Sequence, residues 1–331
     1  MTRRGARRLT RVLLAVAAAV CSAAAVRAQA AGMAAGTGGR AASELHRLGL
    51  DYAERGRYED AVEVLAGAAQ AAPGDAVIRN DLGYAYHRAG RYGEAVRAYR
   101  EAIRVRGDYA LAWNNLGMSL GASGDQAGAV EALRRALEVK PDYAAALYNL
   151  GAAYYRLGRA AEASESLRHA VRLDPRYADA YVSLGVIYTD SGRYVEAAEA
   201  LRRAAELSPN SPLVQRNLGL AYHKAGRPEE AAGAYVKALS LGPDAEVYNN
   251  LGVAYDSLGK KREAVESYKR AIDLKPDYAE AHYNLGVAHL RAGERDEALG
   301  QYAALKRIAP ELAEGLFGLL RRDRVLDAAS R

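Results

Sequence analysis

A single cysteine, Cys21, stands in a chain of 331 residues. No intramolecular disulfide can form, and no pair of thiolates is available to hold zinc. Phe and Trp occur once each. Val and Ile are scattered and do not alternate with polar residues, so nothing reads as a β-strand. There is no His-Glu-x-x-His, no glycine-rich phosphate loop behind a strand and no nucleophile elbow. The chain is therefore expected to be no enzyme and to need neither cofactor nor metal.

A surplus of charge is missing as well, although the formal net charge is +6. Arg3, Arg4, Arg7, Arg8, Arg11 and Arg27 lie within the segment 1–30, which holds no acid. Without those six, the 46 Lys+Arg fall to 40 and balance the 40 Asp+Glu. A nucleic-acid ligand would require excess cations on one face, so none is expected.

The segment 1–30 reads as a cleavable export signal. It has a basic start, an apolar stretch from Val12 to Val26, and the small-x-small tripeptide Ala28-Gln29-Ala30. That stretch falls short of the roughly 20 residues that cross a bilayer as a helix. Residues 31–41 read as a flexible linker. The expected location is the periplasm or the exterior, and cleavage after Ala30 would leave a protein without thiols. The alternative is a lipoprotein acylated at Cys21, for which Val20 is poorly suited because a small residue should precede the cysteine. Membrane association would require that acylation or an uncleaved leader.

What the chain does contain is a repeat. Leu-Gly recurs at Leu48, Leu82, Leu116, Leu150, Leu184, Leu218, Leu251 and Leu285, a period of about 34 residues with one step shorter by a single residue. With this pair at positions 7 and 8, eight units cover 42–75, 76–109, 110–143, 144–177, 178–211, 212–244, 245–278 and 279–312. Position 15 is Gly in all eight, from Gly56 to Gly293, where a left-handed residue would end a first helix. Position 20 is Ala in all eight and position 27 is Ala in seven, so two helices per unit can approach closely. Position 32 is Pro in seven units, often followed by Asp as in Pro141-Asp142; the proline would stop the second helix and the acid would cap the next. Position 11 is Tyr in six units. Residues 313–331 read as a terminal capping helix, with Leu316, Phe317, Leu319 and Leu320 on its apolar side.

In the fourth unit Gly151, Tyr154, Ala163, Ala170 and Pro175 fall at the spacing of the tetratricopeptide signature, and the whole array resembles that family. The resemblance implies an all-α, right-handed α-solenoid superhelix of eight repeats with a C-terminal capping helix. First helices would line a concave groove that takes protein or peptide ligands.

Position 6 would project into that groove. It carries Asn115, Asn149, Asn217, Asn250 and Asn284, beside Asn80, Asn114 and Asn249 at position 5. An Asn amide can pair with the N–H and C=O of a peptide unit together, so a ladder of amides could hold an extended backbone of any sequence. The array is similar here to the superhelical repeats of O-GlcNAc transferases, which use such a ladder, but no transferase domain is present. The same asparagines also suit the family consensus without any ligand. Tyr148, Tyr155, Arg156 and Arg216 complete the candidate peptide contacts. His282 and His289 lie on one helix face and could share a metal, but they occupy aromatic positions and read as packing. The expected function is a non-enzymatic scaffold, an adaptor in cell-envelope assembly or secretion. The alternative is a regulatory or substrate-recruiting subunit of an enzyme system, such as a glycosyltransferase, whose catalytic chain is separate.

Overall fold

The computed structural model describes residues 38–329, and the side chains of 39–322. The export signal read in residues 1–30 lies outside the described residues. Among those described, the chain is helical throughout, with seventeen helices and no strand.

The first unit, through Leu173, holds α1 (Gly38–Glu54), α2 (Tyr58–Ala71), α3 (Ala76–Arg88), α4 (Tyr92–Val105), α5 (Ala110–Ala122), α6 (Gln126–Val139), α7 (Ala144–Arg156) and α8 (Ala160–Leu173). The second, from Asp174, holds α9 (Ala178–Asp190), α10 (Tyr194–Leu207), α11 (Pro212–Lys224), α12 (Pro228–Leu241), α13 (Ala245–Ser257), α14 (Lys261–Leu274), α15 (Ala279–Ala292), α16 (Arg295–Ile308) and α17 (Pro310–Ala329). Helix α1 begins inside the stretch read as linker, because Ala41 is already buried. Odd-numbered helices through α15 are the first helices of repeats, and even-numbered helices the second.

Two devices fold each hairpin. The position-15 glycines all take the left-handed conformation, with φ from 70° at Gly259 to 97° at Gly124. The backbone N–H of the next residue then reaches back to position 11, as from Arg159 to the Tyr154 carbonyl at 2.9 Å. This satisfies a carbonyl that the helix end would leave unpaired. Position 24, which has no single signature residue, supplies the second device. Leu65, Tyr99, Leu133, Leu167, Leu201, Tyr235 and Tyr268 each sit against the position-8 glycine of their own repeat. The position-20 alanines flank this contact, none more than 1% exposed.

Capping differs from expectation. The acid after Pro141 or Pro276 does not cap the next helix; the N-cap residues there are Tyr143 and Tyr278, without side-chain caps. Both tyrosines instead lie under a cation, Lys140 at 5.2 Å and Lys275 at 4.9 Å. Asp142 and Asp277 are one residue too early to reach the first free N–H groups. Where the last residue of a repeat, directly before the next first helix, is Asp or Ser, capping occurs. Asp75 accepts from the N–H groups of Val77 and Ile78, Ser211 from Val214, and Asp244 from Glu246 and Val247.

The last proline also behaves differently: Pro310 opens α17, since its missing N–H costs nothing in a first turn. Leu316 of α17 packs against Gly286, where the other repeats use position 24. Leu305, Ala313, Leu316 and Leu320 close a small core over the eighth repeat.

Within each unit, successive first helices touch one another, as α3 with α5 and α5 with α7, whereas successive second helices do not. First helices therefore lie on the inner side of the curve and present the concave face.

Candidate binding groove

Along the first-helix face of the first unit runs a continuous chain of hydrogen bonds. His46 Nε2 lies 2.7 Å from Asp81 Oδ2, and Asn80 Nδ2 donates to Asp81 Oδ1 at 3.1 Å. Asn115 Nδ2 donates to Asn80 Oδ1 at 3.1 Å, and Asn114 Nδ2 to Asn115 Oδ1 at 3.2 Å. The chain ends where Asn149 Nδ2 donates to Asn114 Oδ1 at 2.9 Å. In the second unit Asn284 Nδ2 likewise donates to Asn249 Oδ1 at 3.0 Å. In the three asparagine pairs position 6 of one repeat donates to position 5 of the repeat before, whereas Asp81 at position 6 accepts from His46.

This arrangement separates the candidate asparagines by role. Asn80, Asn114 and Asn249 are buried, and their amides tie adjacent first helices together. Asn115, Asn149 and Asn284 are half-buried and have committed one N–H, which leaves the other N–H of each to the groove. Asn217 and Asn250 are also half-buried and make no hydrogen bond among the described residues. Sequence spacing marked positions 5 and 6 alike, and only the packing shows that one is spent on the fold.

The groove has its own cleft of about 420 Å³, walled by His87, Met118, Gly121, Ala122, Asn149 and Arg156 among others. It opens at the third repeat because that first helix ends in Gly121 and Ala122, where the next repeat carries Tyr155 and Arg156. Tyr155 is 39% exposed and Tyr148 is half-buried. Arg156 reaches the Gly121 carbonyl at 3.4 Å, so its guanidinium stays on the rim. His87 Nδ1 lies 2.8 Å from the Ser119 hydroxyl. Burial, aided by neighbouring Arg88, holds the His87 imidazole below its ordinary pKa, which favours the neutral ring. Exposed Met118 and small walls beside a cationic rim suit an aliphatic side chain of a ligand.

In the second unit, Arg216 is turned toward the acids at the junction of the short sixth repeat and the seventh, 3.9 Å from Asp244 and 3.7 Å from Glu246. Gly242 there has an extended backbone, φ 173°. Arg291 lies 3.5 Å from Asp256, which also accepts from the Tyr268 hydroxyl at 3.2 Å. His282 and His289 are buried and engaged separately. His282 contacts Gln301 Oε1 at 2.7 Å and the Pro276 carbonyl at 3.1 Å, and His289 Nδ1 contacts Glu294 at 2.5 Å. Among the described residues no cluster of metal-binding side chains occurs and no helix is long and apolar enough to cross a membrane.

These features define an all-α helix-hairpin repeat protein with an inner polar face. A family model described as the Cilia and flagella-associated protein 70 C-terminal domain matches residues 77–274, more than half of the chain. Tetratricopeptide repeat models match residues 40–108, 256–293 and 280–311. The chain belongs to the tetratricopeptide repeat family.

No curated protein matches it. Among solved structures it is similar to YrrB, described as a TPR protein with an unusual peptide-binding site. Identity is 25%, over 56% of this chain and 96% of that one, with a TM-score of 0.53. Pseudomonas aeruginosa pilF is 24% identical over 64% of this chain and 98% of that one, with a TM-score of 0.52. The C-terminal part of a TPR repeat-containing protein from Cytophaga hutchinsonii is 18% identical over 72% and 99%, with a TM-score of 0.60. The last two show the shared fold.

Proposed function

We propose that this protein is a non-catalytic scaffold that binds extended segments of other proteins along its first-helix groove. The supporting observation is the cleft at the third repeat, where Asn149 offers an N–H beside Arg156 and a small apolar wall. A peptide amide can pair with the asparagine while one aliphatic side chain enters the cleft. The peptide-binding site named for YrrB supports the same reading. The leader further supports export and a role as an adaptor in envelope assembly or secretion.

The test is capture of partners from envelope extracts by the processed chain, followed by titration of one captured segment against A153L, which fills the cleft from α7. Ala153 lines the cleft, and binding should weaken about tenfold or more. Undiminished binding by the folded variant would exclude the groove cleft as the site.

A further inference from the structure

Six repeats share a latch on the outer side of each hairpin. The position-16 cation lies over the position-11 ring, with Arg57 at 4.5 Å from Tyr52, Arg91 at 4.7 Å from Tyr86, Arg159 at 4.5 Å from Tyr154, Arg193 at 4.4 Å from Tyr188, Arg227 at 4.7 Å from Tyr222 and Lys260 at 5.8 Å from Tyr255. The five arginines also pair with an acid at position 19, as Arg159 does with Glu162 at 2.6 Å. The eighth repeat substitutes His289 and Glu294, which bond to each other. The third repeat alone has lost all three members. Leu120, Asp125 and Gly128 stand in their places, and Asp125 caps α6 by accepting from the Gly128 N–H at 2.8 Å.

The fourth repeat shows what the tyrosine does for its neighbour. Arg134 Nε, at position 25 of the third repeat, donates to the Tyr154 hydroxyl at 3.0 Å. One repeat earlier the same two places hold Arg100 and Leu120. Leucine has no hydroxyl, and Arg100 has no hydrogen bond or ion pair among the described residues. A cleft of about 460 Å³ opens here between α4 and α6, on the opposite side of α5 from the groove. Ile103, Trp113, Leu116 and Leu120 form its apolar wall, with Arg100 at the rim. Arg134, Arg135, Glu131 and Glu138 complete the rim, so three guanidinium groups meet two carboxylates. Arg135 is already paired with Glu138 at 2.5 Å.

From this geometry we infer that the outer cleft is a second docking site, for a tyrosine side chain carried on an acidic segment of a partner protein. The ring stacks among Ile103, Trp113 and Leu120, as Tyr154 fills the corresponding space one repeat on. Its hydroxyl accepts from Arg100, as the Tyr154 hydroxyl accepts from Arg134. Acidic neighbours match the cationic excess of the rim. The site is independent of the groove and uses none of its asparagines.

Trp113 is the chain's one tryptophan, so its emission reports occupancy of this cleft directly. The probe is the synthetic peptide Glu-Asp-Tyr-Glu-Asp, titrated into the purified protein. A saturable change in Trp113 emission is expected, lost when the peptide tyrosine is replaced by alanine and weakened about tenfold when it is replaced by phenylalanine. R100M should weaken the tyrosine peptide by a similar factor and leave the phenylalanine peptide unaffected. The triple variant L120Y/D125R/G128E rebuilds the latch of the other repeats and should abolish the response while keeping the helical circular dichroism. N217A/N250A, altered only in the groove, should respond as the wild type does. The proposal is overturned if the tyrosine peptide gives no saturable change, if a lysine-flanked version binds as well, or if R100M prefers tyrosine over phenylalanine as strongly as the wild type does. Should the triple variant fold poorly, the R100M comparison decides alone.

Discussion

Leu167 is seated on Gly151: a Cβ built on that glycine would lie 2.7 Å from Leu167 Cγ and 3.1 Å from the Ala163 carbonyl oxygen. The first helix and second helix of the fourth repeat are thus in contact at backbone distance, and the leucine fills the hole the glycine leaves. Substitution G151A should destabilise the protein by about 1–3 kcal/mol, because the side chain and the carbonyl cannot both move aside. Urea unfolding with circular dichroism measures this. Leu167 is fully buried, so L167A alone is also destabilising. The loss in the double change G151A/L167A should be smaller than the sum of the two single losses, and strictly additive losses would contradict the seating.

The glycines at position 15 answer a different requirement. A Cβ on Gly158 would meet nothing within 4 Å, yet its φ is +73°. G158A should therefore cost about 1–2 kcal/mol from backbone conformation alone. G158N should cost less, since asparagine tolerates the left-handed region. Comparing the two by thermal unfolding separates conformation from packing.

Two half-buried histidines make stability depend on pH. Burial lowers the pKa of His87 and of His223, aided by Arg88 and Lys224 respectively, from the ordinary 6.5. The unfolded chain then binds protons first as pH falls. Stability is fully present above about pH 7 and declines as pH drops through 6.5 toward the lower folded values. In H87N/H223N the slope in that window should flatten, as read by urea midpoints between pH 7.5 and 5. An unchanged slope would place the proton uptake elsewhere.

Asn217 and Asn250 make no hydrogen bonds among the described residues, so their removal should leave the fold intact. If they contact ligand backbone, N217A/N250A should weaken a groove ligand by about 1–3 kcal/mol, with unchanged thermal stability. Asn149→Ala is different in kind. It removes the bond to Asn114 and should lower stability by about 0.5–1.5 kcal/mol whether or not a ligand is bound. Full affinity in the double variant would restrict binding to the first unit's cleft.

If residues 1–30 act as the cleavable export signal proposed above, the mature protein should begin at Ala31. N-terminal sequencing of material from outside the cytoplasm checks this directly, and a start at Cys21 would show acylation in its place.

The repeat, its helix pairs and its turn glycines were legible in the sequence, because the regular return of Leu-Gly and the fixed Gly-to-Gly spacing depend only on local backbone geometry. Asn at positions 5 and 6 looked equivalent there, since both are short polar residues adjacent on one helix. Only packing decided that Asn114 is buried between neighbours while Asn149 faces the groove: successive residues on a helix point about 100° apart, and one of them meets the preceding repeat. The substitutions at Leu120, Asp125 and Gly128 were likewise visible as letters. That they leave Arg100 unpaired, and open a cleft between two second helices, depends on side chains distant in sequence that meet only once α4, α5 and α6 are folded together.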